Sequence, residues 1–206
     1  MEEKKSRRKN KEETTRSLFK VPIYLALIHY PVYNRNKKVI VTSITTFDIH
    51  DISRIAKTYE LSGVFIVNPL RVQRDFVEEV IRYWTVGFGS SYNEIRKIAM
   101  ELVKVESTLE NVKSFIERKH GKEPISVTTS AKFTKRAITY EELREKIAEL
   151  RRPLLLIFGT GWGIEERTKR KADLILLPIY GRGDYNHLSV RSAVAIILDR
   201  LLGRED

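Results

Sequence analysis

The sequence contains no cysteine. Disulfide bridges and cysteine-ligated zinc are therefore excluded. Its 4 histidines are scattered and form no H-x-x-x-H pair, so no metal site is expected from pattern. No apolar run approaches the roughly 18 residues that a membrane-spanning helix needs. The first residues are charged and lack the apolar stretch of a signal peptide, so a cytoplasmic protein with no membrane partner is expected. A Walker G-x-x-x-x-G-K-[ST] loop and a G-x-S-x-G nucleophile elbow are both missing, which argues against the P-loop and α/β-hydrolase chemistries. Glycine is sparse, at 10 residues, yet it recurs in two loops late in the chain.

Charge is what the sequence has in excess. Across 206 residues, 38 Lys and Arg stand against 27 Asp and Glu, for a net charge of +11. A balance this basic favours an anionic partner, with nucleic acid ahead of an anionic membrane surface. Residues 1–17 are polar and charged with nothing to bury, and read as a basic flexible arm. The apolar run Val21 to His29 has the length and continuity of a strand buried on both faces. His29 closes that run and reads as a core histidine. Tyr30 to Asn36 reads as a loop, and Val39 to Val41 as a short strand.

Ile49, Ile52, Ile55, Ala56 and Tyr59 recur at helical spacing and predict a helix over Asp48 to Leu61, capped by Thr45, Thr46 or Asp48 and ended by Gly63. Val64 to Val67 then makes a strand. Helices are expected over Val72 to Trp84, Asn93 to Val105 and Leu109 to His120, with a break at Gly87 to Ser91. Ile125 to Thr129 reads as a β-branched strand. Thr139-Tyr-Glu-Glu142 has the form of a capping box and opens a helix to Leu150. Alternating strands and helices argue an α/β layer fold with a parallel sheet.

The last third is organised differently. The strand Leu154 to Phe158 ends in Gly159-Thr160-Gly161-Trp162-Gly163, and Leu174 to Leu177 ends in Pro178-Ile179-Tyr180-Gly181. The second loop runs through Asn186-His187-Leu188-Ser189 straight into an apolar helix ending at Leu202. Loops at the carboxyl ends of strands are where open α/β sheets bind ligands. A dinucleotide fingerprint does not fit, because G-x-G-x-x-G opens a helix in an early βαβ unit with an acid about 20 residues on. Here only Ile164 to Ala172 separates the loop from the next strand.

These two loops and the loop-into-helix from Asn186 to Ala193 resemble the last two motifs of the SPOUT, or α/β-knot, RNA methyltransferases. The similarity is nearest a bacterial branch of S-adenosylmethionine-dependent RNA methyltransferases akin to the catalytic domain of tRNA guanine-N1 methyltransferases. It implies a SPOUT-like α/β knot: a mostly parallel sheet flanked by helices, with a C-terminal trefoil knot. It further implies one domain over residues 18–206 with a cofactor-binding knot at about 125–202, S-adenosyl-L-methionine as cofactor, RNA (tRNA or rRNA) as substrate, and a homodimer.

By the same resemblance, Phe158, Gly159, Thr160, Gly161 and Trp162, Leu177, Pro178 and Ile179, and Asn186, His187, Leu188 and Ser189 would hold the cofactor, with Ala193 packing on adenine. Thr128 and Thr129 stand where the family's strand meets the adenosine. The first family motif places Asn, Gly and Arg where this chain has Asp48, His50 and Arg54, so Arg54 fits and the other two depart. A base nitrogen or ribose hydroxyl must lose a proton on methylation. Asp51, Asp184, His50 and His187 are the candidates to take it, and Arg54 to hold a phosphate or orient the base. Each also has an ordinary reading, Asp184 in a turn and Asp51 in a helix's first turn. Arg167, Lys169, Arg170 and Lys171 lie between the two cofactor loops and are expected to meet RNA phosphates, while Tyr30, Tyr33 and Trp162 suit stacking on an unpaired base. The alternative reading is an RNA-binding protein that keeps the fold and has lost catalysis.

Overall fold

A computed structural model describes residues 21–204. The arm expected over residues 1–17 lies outside them. The chain opens with β1 (Ile23–Ile28) and a small antiparallel hairpin, β2 (Val32–Tyr33) and β3 (Val39–Ile40), then α1 (Thr46–Thr58) and β4 (Gly63–Val67). Three helices follow, α2 (Arg71–Thr85), α3 (Phe88–Tyr92) and α4 (Glu94–Met100), then β5 (Val103–Glu106) and α5 (Leu109–His120). Next come β6 (Ile125–Thr128), β7 (Ala137–Ile138) and α6 (Tyr140–Glu149). The last third is β8 (Leu154–Gly159), the short α7 (Glu166–Arg170), β9 (Leu174–Leu176) and α8 (Val190–Leu202).

Seven strands form one sheet in the order β5-β4-β1-β8-β6-β9-β7, and every pairing in it is parallel. The central strands are buried on both faces, as their unbroken apolar sequences require. Alternate residues feed two cores. Leu25, Leu27 and Phe158 point to a face covered by apolar residues of α1, α2, α4, α6 and α8. Tyr24, Ala26, Ile28 and Ile157 point to the other, which meets Val112 and Ile116 of α5, Val32 of β2 and Ile164 of the loop after β8. The second face therefore carries much less helix. Because all seven strands run the same way, the loops after β1, β6, β8 and β9 open on one edge of the sheet.

The capping boxes explain two helix starts. Thr45 accepts from Asp48 N–H while the Asp48 carboxylate accepts from the Thr45 backbone, and Thr139 and Glu142 do the same for α6. Several boundaries differ from expectation. The helix predicted from Asn93 to Val105 stops at Met100, and Val103–Glu106 pairs with β4 as an edge strand. Val103 and Val105 alternate with charged residues, a strand period too short to override the helical run before it. The loop over Tyr30 to Asn36 contains β2, and the break at Gly87 to Ser91 contains α3. Gly63 is not a helix cap. It begins β4, where a Cβ would stand 3.1 Å from the buried Tyr24 ring, and the left-handed turn after α1 falls to Glu60, with φ 54°.

Candidate functional site

A cleft of about 1000 Å³ lies along the edge where the carboxyl ends of the strands emerge. Four stretches wall it: His29 to Ser43 after β1, Thr129 to Lys132 after β6, Phe158 to Ile164 after β8, and Leu177 to Ala193 between β9 and the first turn of α8. Asp48 of α1, Glu166 and Lys169 of α7 and Ile197 of α8 complete it.

The glycine loop after β8 is held in shape by its neighbours. Tyr33 N–H donates to the Gly163 carbonyl at 2.8 Å, and Trp162 N–H donates to the Tyr33 carbonyl at 2.8 Å. Gly161 has φ +59°, and a Cβ on it would stand 2.8 Å from the Tyr33 oxygen. Only glycine meets both demands without displacing the loop. Inside the wall, Thr160 Oγ1 donates to the Ile28 carbonyl and shares a 2.5 Å hydrogen bond with Thr42 Oγ1. Thr42 Oγ1 in turn lies 3.0 Å from His29 Nδ1. The loops are also tied to each other, since Asn186 Nδ2 donates to the Ala131 carbonyl at 2.9 Å and the His187 ring meets Trp162 edge-on at 6.1 Å.

The structure brings together most of the residues that the sequence assigned to a cofactor. Thr129, Phe158, Gly159, Thr160, Gly161, Trp162, Leu177, Ile179, Asn186, His187, Leu188, Ser189 and Ala193 all line the cleft. Thr128 and Pro178 lie behind that lining, both buried. The catalytic candidates are more dispersed. Asp51, one turn after Asp48, is half-buried and lies 3.7 Å from Arg191 in the first turn of α8. Arg54, a turn further on, is exposed, and Asp184 is exposed at the tip of the last loop. None of these three lines the cleft. His50 packs edge-on against Trp84 at 5.4 Å instead of facing the cleft, and burial with neighbouring Arg96 lowers its pKa. Among the basic residues, Lys169 reaches the cleft and pairs with Glu166 at 2.9 Å. Arg170 also pairs with Glu166, at 3.7 Å.

Sequence reasoning gave too little weight to three features. His29 is fully buried, as a core histidine would be, but it belongs to the cleft wall, and its Nε2 has no hydrogen-bond partner among the described residues. Burial pushes its pKa down to about 4, against the opposing pull of Asp48, so the ring is neutral at physiological pH. Its position at the carboxyl end of a central strand was the available signal. Asp48 is 8% exposed and is the carboxylate of α1 that reaches the lining. Arg35 and Lys37, exposed on the hairpin, give the cleft a basic rim.

A family model described as SAM-dependent RNA methyltransferase matches residues 22–203. The chain belongs to this family. An uncharacterized protein of Aquifex aeolicus is 44% identical over 182 residues, 88% of this chain and 89% of that protein. The tRNA (guanine-N(1)-)-methyltransferase of Oleidesulfovibrio alaskensis is 41% identical over 181 residues, which is 88% of this chain but 42% of that protein's length. Among solved structures, the SpoU methyltransferase AviRb of Streptomyces viridochromogenes superposes with a TM-score of 0.55 over 92% of this chain and 62% of its own, at 14% identity. That likeness fixes the fold. The resemblance read from the two late loops is thus shown at the level of family, fold and cofactor class. The cleft suits S-adenosylmethionine on its own features. Its volume is at the upper end of the range for small-ligand sites, and its walls combine apolar Phe158, Ile179 and Leu188 with a glycine-rich backbone.

Proposed function

We propose that this protein methylates a base or ribose of structured RNA, with tRNA as the first substrate to test, and that it works as a homodimer whose C-terminal segment is knotted over about 125–202. The observation that carries the reading is the convergence of the Gly159–Gly163 and Asn186–Ala193 loops on one cleft, in a chain whose family model spans nearly its whole length. S-adenosylmethionine, when bound, supplies a methyl group already activated on a sulfonium, so the protein need only orient and adjust charge. The main chain from Phe158 to Gly161 and from Leu177 to Ile179 would hold adenine and ribose. Asn186, His187 and Ser189 would close over the remainder.

The target atom must give up a proton. Asp184 shares its loop with Asn186 and His187 and is the carboxylate we assign to take it. Asp51 pairs with Arg191 beside the first turn of α8 and Arg54 is exposed one turn further along α1; RNA brought to this side of the helix would meet them, Arg54 as a phosphate contact. Arg35, Lys37 and Lys169 give the approaching backbone a positive rim. The tRNA (guanine-N(1)-)-methyltransferase relative supports tRNA, although this chain spans 42% of that protein.

Calorimetric titration with S-adenosylmethionine, followed by transfer of a labelled methyl group to unmodified tRNA transcripts, tests the reading. Micromolar binding, about −8 kcal/mol, and label in RNA are expected. No binding at millimolar ligand refutes it. Binding of both cofactor and RNA without transfer favours the non-catalytic alternative.

A further inference from the structure

A second cavity, of about 580 Å³, lies on the opposite side of the loop that walls the cofactor cleft. Its floor and sides are Ile157 of β8, Leu109 at the start of α5, and Tyr30, Pro31 and Pro69 from the loops after β1 and β4. It sits between α5 and α7 on the sheet face that carries less helix, over the buried strand residues Ile157 and Ser126.

The two cavities share one partition. Glu165 N–H donates to the Pro31 carbonyl at 3.1 Å, Glu166 N–H donates to the Tyr33 hydroxyl at 3.1 Å, and Val32 bridges Ile164. Segment 164–172 therefore has two sides. Glu166 and Lys169 face the cofactor cleft, while Arg167, Thr168 and Lys171 face the second cavity.

The charges of this cavity sort by what already holds them. Glu165 caps α7 through Thr168, and Glu123 pairs with Lys113 at 3.7 Å. Arg167 and Lys171, four residues apart and both exposed, have no acidic partner among the described residues. Tyr30 is 45% exposed on the rim. A flat aromatic edge, an apolar floor and two unpaired cations together match one ligand chemistry, a nucleotide with its base on the ring and its phosphate on the cations. The volume suits a single nucleotide.

We infer that this cavity takes one unpaired nucleotide of the substrate RNA, next to the nucleotide presented at the cofactor cleft, with Tyr30 stacking on the base and Arg167 and Lys171 holding its phosphate. The inference rests on the RNA methyltransferase reading for the identity of the RNA. RNA is favoured over a free nucleotide because a single wall, segment 164–172 with the loop after β1, separates the cavity from the cofactor cleft and carries cations on both of its sides. Glu110, the remaining carboxylate of the lining, is an acceptor for an exocyclic amino group and favours adenine, cytosine or guanine over uracil.

The test is fluorescence anisotropy of the full chain with a labelled unmodified tRNA transcript, repeated over a salt series. Tyr30→Ala should weaken binding roughly 5- to 150-fold, the range for loss of one base stack, and Tyr30→Phe should restore it. The double variant Arg167→Ala, Lys171→Ala should reduce the salt slope by about two. Photo-crosslinking of transcripts carrying 6-thioguanosine, which keeps the exocyclic amino group, should mark the peptide around Tyr30. Unchanged affinity and salt slope in both variants would overturn the inference. So would tight binding of guanosine monophosphate that tRNA does not displace, the mark of a free-nucleotide site. Absence of S-adenosylmethionine binding would instead strike the methyltransferase reading, and the comparison of RNA affinities would still decide the cavity.

Discussion

Replacing Gly161 by alanine should open the cofactor cleft without touching the core, and the structure sets the size of the effect. Two costs combine at this position. A non-glycine residue at φ +59° is strained by about 1–3 kcal/mol. The new Cβ would also stand 2.8 Å from the Tyr33 carbonyl, so the loops must part. That loosens the Trp162-to-Tyr33 and Tyr33-to-Gly163 hydrogen bonds, each worth about 1 kcal/mol net. The total is about 3–5 kcal/mol. It appears as lost stability if the bound shape is held in the free protein, or as weaker S-adenosylmethionine binding, up to several thousand-fold, if the free loop relaxes. Two other glycines separate the terms. Gly163 has φ +103° with open space around a Cβ, so Gly163→Ala should carry the conformational cost alone. Gly181 has open space and no positive φ, and Gly181→Ala should be neutral. Calorimetric titration and urea unfolding of the three variants give the measurement. If Gly161→Ala matches the wild type in both, or Gly163→Ala loses as much, the assigned loop geometry is wrong.

Other expectations are independent of that one. Asn186→Ala removes the tie to Ala131 and should weaken cofactor binding about fivefold, or about 1 kcal/mol, and an unchanged affinity would detach this loop from the pocket. Arg54→Ala should leave cofactor binding intact and slow methyl transfer, so full transfer would remove Arg54 from the mechanism. His29 is held neutral, with its pKa lowered by burial from 6.5 to about 4. The unfolded chain takes up this proton as pH falls through 6.5 and the folded chain does not until about 4. About 3 kcal/mol of stability present at neutral pH is therefore lost across that window, and His29→Gln should flatten the profile in urea unfolding. Partial burial raises the Asp173 carboxyl, but hydrogen bonds from Ser126 and the charge of Lys113 outweigh it and leave its pKa below the ordinary value. Its contribution is present above the unfolded carboxylate range and is lost as pH falls through the depressed value. Asp173→Asn should thus be less stable than the wild type at pH 7 and converge on it in acid.

Much of the fold was legible because its signals are local. Continuous apolar runs at Val21–His29 and Leu154–Phe158 mark strands buried on both faces, and helical spacing marks α1 and α8. The Thr139–Glu142 box fixes the start of α6 within a single turn. The misses share one cause. Val103–Glu106 becomes a strand because β4 offers it an edge, and β2 exists because β3 and Ile164 face it. Gly63 was read as a helix stop, whereas its real constraint is the ring of Tyr24, 39 positions earlier in the sequence and across a strand pair. No window along the chain contains that contact.

The site divides along the same line. The cleft was legible because its walls are backbone loops, and glycine and asparagine announce such loops wherever they fall. Its catalytic side was not, because a proton acceptor is defined by what surrounds it. Asp48, Asp51 and Asp184 are equivalent in sequence, and only the fold puts Asp48 in the cleft wall and Asp51 against Arg191. His29 makes the point most sharply. A histidine ending an apolar strand is rightly read as buried. Burial does not settle its role, because the same position lies at the strand's carboxyl end, where the sheet opens its cleft. The unpartnered Nε2 is neutral by virtue of that burial, and neutrality is what lets an imidazole accept a hydrogen bond or a proton there. If His29→Gln restores flat acid stability yet leaves S-adenosylmethionine binding and methyl transfer unchanged, the histidine belongs to the core alone; a selective fall in either places it in the site.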